Sequence, residues 1–288
     1  MKYFSILVFV IFITVLYSCD KVSPPYAVTN NNGPDTNAVI RKVLLEDYTG
    51  HKCPNCPAAA VTASDLKAIY GEKLIVMSVH AGSFANVFSP DFLYDFRCTS
   101  GNEYNTFFGI SIVGNPNGMI NRKFVNSSII IAPTAWGSTL SEIIDLPPDA
   151  NIQITNTYNS GTKELNTEIK SKFLNPLTGL YKLVVLVLED SIVAPQQNGV
   201  NEIPGYPSPN ANTIITNYVH RHVLRGAINS TWGDTLAIDP IPTSTFITKT
   251  YNNYTLNSAW DENHCMVIAF IYNAVTNEIV QVEEKKRK

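Results

Sequence analysis

The stretch Val43-Leu44-Leu45-Glu46-Asp47-Tyr48-Thr49-Gly50-His51-Lys52-Cys53-Pro54-Asn55-Cys56-Pro57 carries three local signals in order. An apolar run short enough for a buried strand breaks at Gly50, two cysteines follow with two residues between them, and an alanine-rich segment with helical spacing begins. A strand, a turn and a helix start are expected here. A thiol at a helix N-terminus sits beside unpaired backbone N–H groups and the positive end of the helix dipole, which favours thiolate over thiol. Disulfide exchange requires thiolate, so Cys53 is expected as the attacking thiolate and Cys56 as the resolving thiol. A stable structural disulfide fits the same spacing. Zinc would need two more ligands, and no second Cys-x-x-Cys or Cys-x-x-His occurs, so no metal and no cofactor are expected.

Downstream, a helix is expected from Pro54 to Tyr70, with Ala59, Ala63, Leu66, Ile69 and Tyr70 on one face and Gly71 as its left-handed stop. Lys73 to Ala81 reads as a second buried strand, completing a strand-helix-strand crossover on a parallel sheet. From Gly82 to Asn102 the chain turns polar and aromatic. This segment is expected to be an insertion with a short helix through Phe92 to Phe96. A helical piece over Glu103 to Phe108, a loop containing Asn115 and Pro116, a strand over Met119 to Phe124 and a helix over Ala135 to Asp145 follow, and Pro147-Pro148 ends the domain. The first domain is thus expected over 40–147.

From 148 to 288 the hydrophobic period changes from 3.6 to 2. Strands are expected at Asn151–Thr155, Lys163–Phe173, Leu180–Leu188, Tyr218–Ala227, Phe246–Leu256, Asn263–Tyr272 and Glu278–Glu283, the last two as a hairpin. Ala194 to Asn212, rich in proline and glycine, reads as a long loop. The expected fold is an α/β domain followed by an all-β antiparallel sandwich of immunoglobulin-like or jelly-roll type.

Upstream, Lys2 and the apolar run Phe4 to Leu16 read as a secretory signal, shorter than the roughly 18 residues of a membrane span. It ends in Leu16-Tyr17-Ser18-Cys19, which resembles the bacterial lipobox, although Tyr17 is bulkier than that pattern usually places there. The resemblance implies a signal over 1–19, lipidation of Cys19 and a flexible tether over 20–39. The 288 residues are 45% hydrophobic and 16% charged, with a net charge of −3. That balance provides no basic field for a phosphate backbone, so nucleic acid is excluded as a partner.

A Cys-x-x-Cys at a strand-to-helix junction, followed by Phe108-Gly109-Ile110, a short loop, one proline and a strand, resembles the thioredoxin-like fold. The resemblance implies that Pro116 is cis and lies against the cysteine pair, that Asn115 offers backbone groups to an extended substrate, and that Glu46 or Asp47 is a buried carboxylate passing a proton to Cys56. His51 could stabilise the thiolate as a cation, or be a turn residue. His80 is expected as a satisfied framework histidine. His220 and His222 alternate on the expected strand and share a face, the geometry of a two-histidine metal clip, although a polar sandwich face is the preferred reading. Cys98 and Cys265 are expected as two buried free thiols rather than a bond.

The lipobox, the 46–57 segment and His220-Arg221-His222-Val223-Leu224-Arg225 in a β-rich C-terminal half together resemble the bacterial envelope family related to the twenty-eight-kilodalton outer membrane protein. That resemblance implies a thioredoxin-like domain before a β-sandwich, and an outer-membrane location. Two functions follow as expectations. One is thiol-disulfide exchange on envelope proteins. The other is a non-enzymatic surface-binding or adhesin lipoprotein with a structural disulfide. The partners implied are envelope or surface proteins and, through the lipid anchor, the membrane.

Overall fold

The computed structural model describes residues 39–199, 202–207, 213–243 and 245–287. The signal, Cys19 and nearly all of the tether lie outside the described residues.

The chain begins as strand β1 (Val43–Thr49), helix α1 (Cys56–Tyr70) and strand β2 (Leu74–His80). β1 and β2 pair in parallel, with Val43 opposite Leu74 and Thr49 opposite His80. Helix α1 takes proline within its first turn, where a missing N–H removes no helical bond, and ends at Gly71, whose φ is +57°. Helix α2 (Thr99–Phe108) starts four residues before the expected Glu103 because Cys98 caps it, its sulfur accepting from the Gly101 N–H. The one-turn helix α3 (Ile110–Val113) and strand β3 (Asn117–Ile120) follow, and β3 lies antiparallel to β1. Helix α4 (Trp136–Ile143) occupies the span expected for it. The short helix expected through Phe92 to Phe96 is absent. Those residues are irregular, and Phe92 pairs back onto Phe88 by two backbone hydrogen bonds.

The remaining strands are β4 (Ala150–Asn159), β5 (Glu164–Phe173), β6 (Leu180–Glu189), β7 (Ile192–Asn198), β8 (Glu202–Ile203), β9 (Tyr206–Pro207), β10 (Thr213–His220), β11 (Val223–Ala227), β12 (Asp234–Ile238), β13 (Ile247–Thr255), β14 (Cys265–Asn273) and β15 (Ile279–Lys286). One eight-stranded mixed sheet runs β15-β14-β6-β11-β2-β1-β3, with β12 also on β6. Strand β11 joins its halves, pairing parallel to β2 at Val223–Ser78 and antiparallel to β6. The two parts expected as domains on either side of Pro147 therefore share a sheet, and Val39–Lys288 forms one compact unit.

Both faces of this sheet are covered, so β6 runs apolar without alternation from Leu183 to Leu188, all fully buried. On one face, Val184, Leu186 and Leu188 join Met77, Tyr104 and Phe270 under α2. On the other, Leu183, Val185 and Val187 pack against Ile152, Ile169 and Phe173 of the three-stranded antiparallel sheet β13-β5-β4. Helices α1 and α4 cover the same face at the β1-β3 end through Ala59, Ala63, Trp136 and Leu140. The fold is mostly β, with a few helices and a mixed sheet, and no described helix is long and apolar enough to cross a membrane.

Two strand expectations change. Ala194 to Asn212 does not run throughout as a loop, because Ala194 to Asn198 belong to β7, which pairs with β10. Pro195 is tolerated there because the pairing shifts register between Ile215 and Tyr218, so its missing N–H falls at a bulge. The single strand expected over Tyr218–Ala227 is broken at Arg221-His222. The Asp190 carboxylate accepts from Arg221 Nε at 2.6 Å and from the His222 N–H at 3.1 Å, and His222 takes φ +52°.

Candidate functional site at the cysteine pair

Alternation along β1 sends its two acidic side chains to opposite faces. Glu46 enters the core beneath α2, where Arg122 donates to it through Nε and Nη2, both at 2.9 Å. Both side chains are fully buried. The guanidinium lies over the rings of Tyr104, Phe108 and Phe270 at 4.7, 4.9 and 5.1 Å. Burial alone would lower the Arg122 pKa, but Glu46 holds it above the ordinary value. Glu46 is thus committed to an ion pair on the far face of the sheet, which separates it from the cysteine chemistry. Asp47 faces the α1 side with no partner for Oδ1 among the described residues, and burial pushes its pKa up to about 7. Of the two carboxylates expected as a proton carrier, only Asp47 reaches the cleft that also touches Cys56.

Cys53 and Cys56 are bonded to each other. Cys53 is 0% exposed and Cys56 2%. Neighbouring backbone closes over them from two directions. From the insertion, Phe84 O accepts from the Lys52 N–H at 3.0 Å. From the second half of the chain, the Gln197 N–H donates to His51 O and the Gly199 N–H donates to Pro54 O, each at 2.7 Å. The Gln196 side chain, itself buried, donates through Nε2 to Cys53 O at 3.0 Å. These contacts lay the end of β7 along the cysteine loop as if it were an added strand. Two glycines permit the approach: a Cβ on Gly50 would come within 2.5 Å of the Phe84 backbone, and one on Gly199 within 2.7 Å of Pro54.

The Asn115-Pro116 peptide bond is cis. Pro116 immediately precedes β3, whose Asn117 pairs with Tyr48, so it stands at the same end of the sheet as the cysteine loop. Asn115 is half-buried and its Oδ1 has no partner.

His51 is buried, with Nε2 at 3.0 Å from Asn86 O and its ring against Phe92 and Phe96. Burial lowers its pKa, so the cation considered for it is disfavoured. His80 stacks on Phe96 at 4.4 Å as a framework residue, yet its Nδ1 has no partner, and burial holds its pKa well below the usual value. His220 also meets Phe96, at 4.3 Å, and its pKa is pushed down to about 3, chiefly by burial. Because the chain turns at Arg221-His222, His220 and His222 do not share a strand face. Among the described residues no group of three or more His, Cys, Asp or Glu side chains is arranged to hold a metal ion. Cys98 and Cys265 are free thiols, Cys98 half-buried and Cys265 buried, and burial raises both pKa values.

Sequence reasoning missed Gln196, Gly199 and Arg122. The first two sit in a segment whose prolines and glycines read as loop, although glycine there signals a close backbone approach. Arg122 carried no motif at all.

HBP35 of Porphyromonas gingivalis has the same fold, with a TM-score of 0.60, 18% identity, 86% of this chain covered and 76% of that one. Protein AGR_C_4864 from Agrobacterium tumefaciens gives a TM-score of 0.50 and 13% identity over 87% of this chain and 96% of that one. A domain of the outer membrane lipoprotein Omp28 from Porphyromonas gingivalis covers 49% of this chain and 91% of its own, with 22% identity and a TM-score of 0.30. No curated protein sequence matches. The family described as outer membrane protein Omp28 matches residues 102–288, from within helix α2 onward, and the chain belongs to that family.

Proposed function

We propose that the protein is a lipid-anchored outer membrane protein built on a thioredoxin-like half, in which Cys53–Cys56 is a closed clamp rather than a bond turned over on protein partners. The observation that carries this reading is the capping of the pair by β7 and the insertion, which leaves Cys53 fully buried. A protein thiolate must reach a disulfide sulfur to attack it, and the backbone of Gln196 to Gly199 lies hydrogen-bonded along the cysteine loop. The parallel β1-α1-β2 unit, the antiparallel β3 and the cis Pro116 support the thioredoxin-like reading. Leu16-Tyr17-Ser18-Cys19 supports anchoring through Cys19. The face-to-face sheets of the second half support a β-sandwich, which we assign to contact with envelope or surface proteins.

The test is a trap. Cys56→Ser leaves Cys53 unable to be resolved, so an exchanging protein would accumulate mixed disulfides on Cys53 in cells. We expect none, and we expect Cys53→Ser/Cys56→Ser to lose stability while its surface interactions persist. Accumulated mixed disulfides would overturn the clamp. One observation favours exchange instead: Asp47, with a pKa near 7, lines the same cleft as Cys56. Exchange would then require β7 to lift from the loop.

A further inference from the structure

Beside the capped pair lies a cleft of about 410 Å3, between α1 on one side and β8, β9 and β10 on the other. Its volume falls in the roughly 300–1,000 Å3 range of small-molecule sites. Three of its lining side chains are buried, each with a polar atom that lacks a hydrogen-bond partner among the described residues: Asp47 Oδ1, His80 Nδ1 and His220 Nε2, on residues 2, 3 and 4% exposed. Unpaired buried polar atoms are costly, and the three side chains that carry these line one cavity, which points to a group that enters it.

The chemistry of the floor narrows that group. His220 Nε2 is a ring nitrogen without a partner among the described residues, and it donates or accepts according to its tautomer. Asp47 and the hydroxyls of Thr49 and Ser78, also in the lining, can donate or accept. Among the described residues no lysine or arginine stands free at the rim. Lys67 is bound to Leu74 O and Glu284, and Arg221 to Asp190. An anionic ligand would therefore meet Asp47 without a counter-charge. Among the described residues no three His, Cys, Asp or Glu side chains are arranged to hold a metal ion, which disfavours one here. Hydroxyl groups, which both donate and accept, suit every position on this floor. The walls add the rings of Tyr206 and Tyr218, 5.1 Å apart, which offer surface to the C–H faces of a sugar ring.

We propose that this cleft binds a small uncharged polyol of one or two sugar rings, with its hydroxyls on Asp47, His80 and His220. The proposal rests on the clamp reading, because exchange at Cys56 would use the same space. The test is calorimetric titration of the intact, oxidised protein with glucose, maltose and N-acetylglucosamine, and with glucuronate as the charged counterpart. At least one neutral sugar should bind saturably, glucuronate at least tenfold more weakly than glucose. Val61→Trp, on the α1 wall away from the floor, should weaken binding at least tenfold while leaving the thermal midpoint close to wild type. If Val61→Trp lowers that midpoint, Ala60→Phe on the same wall serves instead. Absence of saturable binding by all three neutral sugars, binding unchanged by the wall variant, or glucuronate binding as tightly as glucose would each overturn the proposal. None of these outcomes touches the clamp, which the Cys56→Ser trap tests separately.

Discussion

Asp47 and the buried histidines make opposite contributions to the pH dependence of stability. The Asp47 carboxyl holds its proton more tightly folded than unfolded, so its stabilising share is complete below pH 3.8 and is lost as pH rises through about 7. The whole shift corresponds to about 4 kcal/mol at its upper limit. Asp47→Asn should therefore gain stability over wild type at pH 8 and little at pH 4. Urea unfolding at the two values checks this, and an equal change at both would contradict it. His220 works in the other direction. Its folded pKa of about 3 lies below the 6.5 of the free side chain, so its share is present above pH 6.5 and lost as pH falls toward 3. His220→Phe should move the acid-unfolding midpoint to lower pH. For the Glu46–Arg122 pair, Arg122→Met strands a buried carboxylate and should cost about 3–5 kcal/mol, whereas Glu46→Leu/Arg122→Met should recover most of that loss in chemical unfolding. Of these residues, Asp47 was legible in the sequence because it ends a strand beside the cysteines. The choice between Asp47 and Glu46 was not, because it depends on which sheet face Arg122 approaches.

At the scale of elements, β7 decides whether the cysteine pair is reachable. Its seat depends on Gly199, whose missing Cβ lets the N–H reach Pro54 O. Gly199→Val should lift the end of β7, speed reduction of the native disulfide at least tenfold and leave far-UV circular dichroism unchanged. A rate equal to wild type would show that β7 does not guard the pair. Strand β1, helix α1 and strand β2 were readable from hydrophobic period and the proline and glycine punctuation, and the helix ended at Gly71 as its chemistry requires. β7 was not readable. Its Ala194-Pro195-Gln196 run has loop composition, and it becomes a strand only through pairing with β10 and with the cysteine loop. The break at Arg221-His222 was hidden for a similar reason. It is fixed by Asp190, more than thirty residues earlier in the chain.

For the whole molecule, the shared sheet is the main departure from a reading by segments. Pro147-Pro148 and the change of hydrophobic period both suggest a boundary, yet β11 hydrogen-bonds to β2 across it. Local pattern reports which residues are buried but not which strand lies beside them, so the sheet order could not be read from the sequence. Fragments 39–148 and 149–288 would each expose the sheet edge that the other covers. Expressed alone, each should give poorly dispersed amide spectra, and independently folded fragments would show that the shared sheet is dispensable. The proposed clamp keeps Cys53–Cys56 of the folded protein from protein thiols. The most direct measurement is the rate at which a reduced protein dithiol, thioredoxin, reduces the folded pair across a series of urea concentrations. Reduction should be negligible in buffer, with a rate that rises with the unfolded population. Rapid reduction in buffer, independent of urea and unaffected by Gly199→Val, would contradict the clamp.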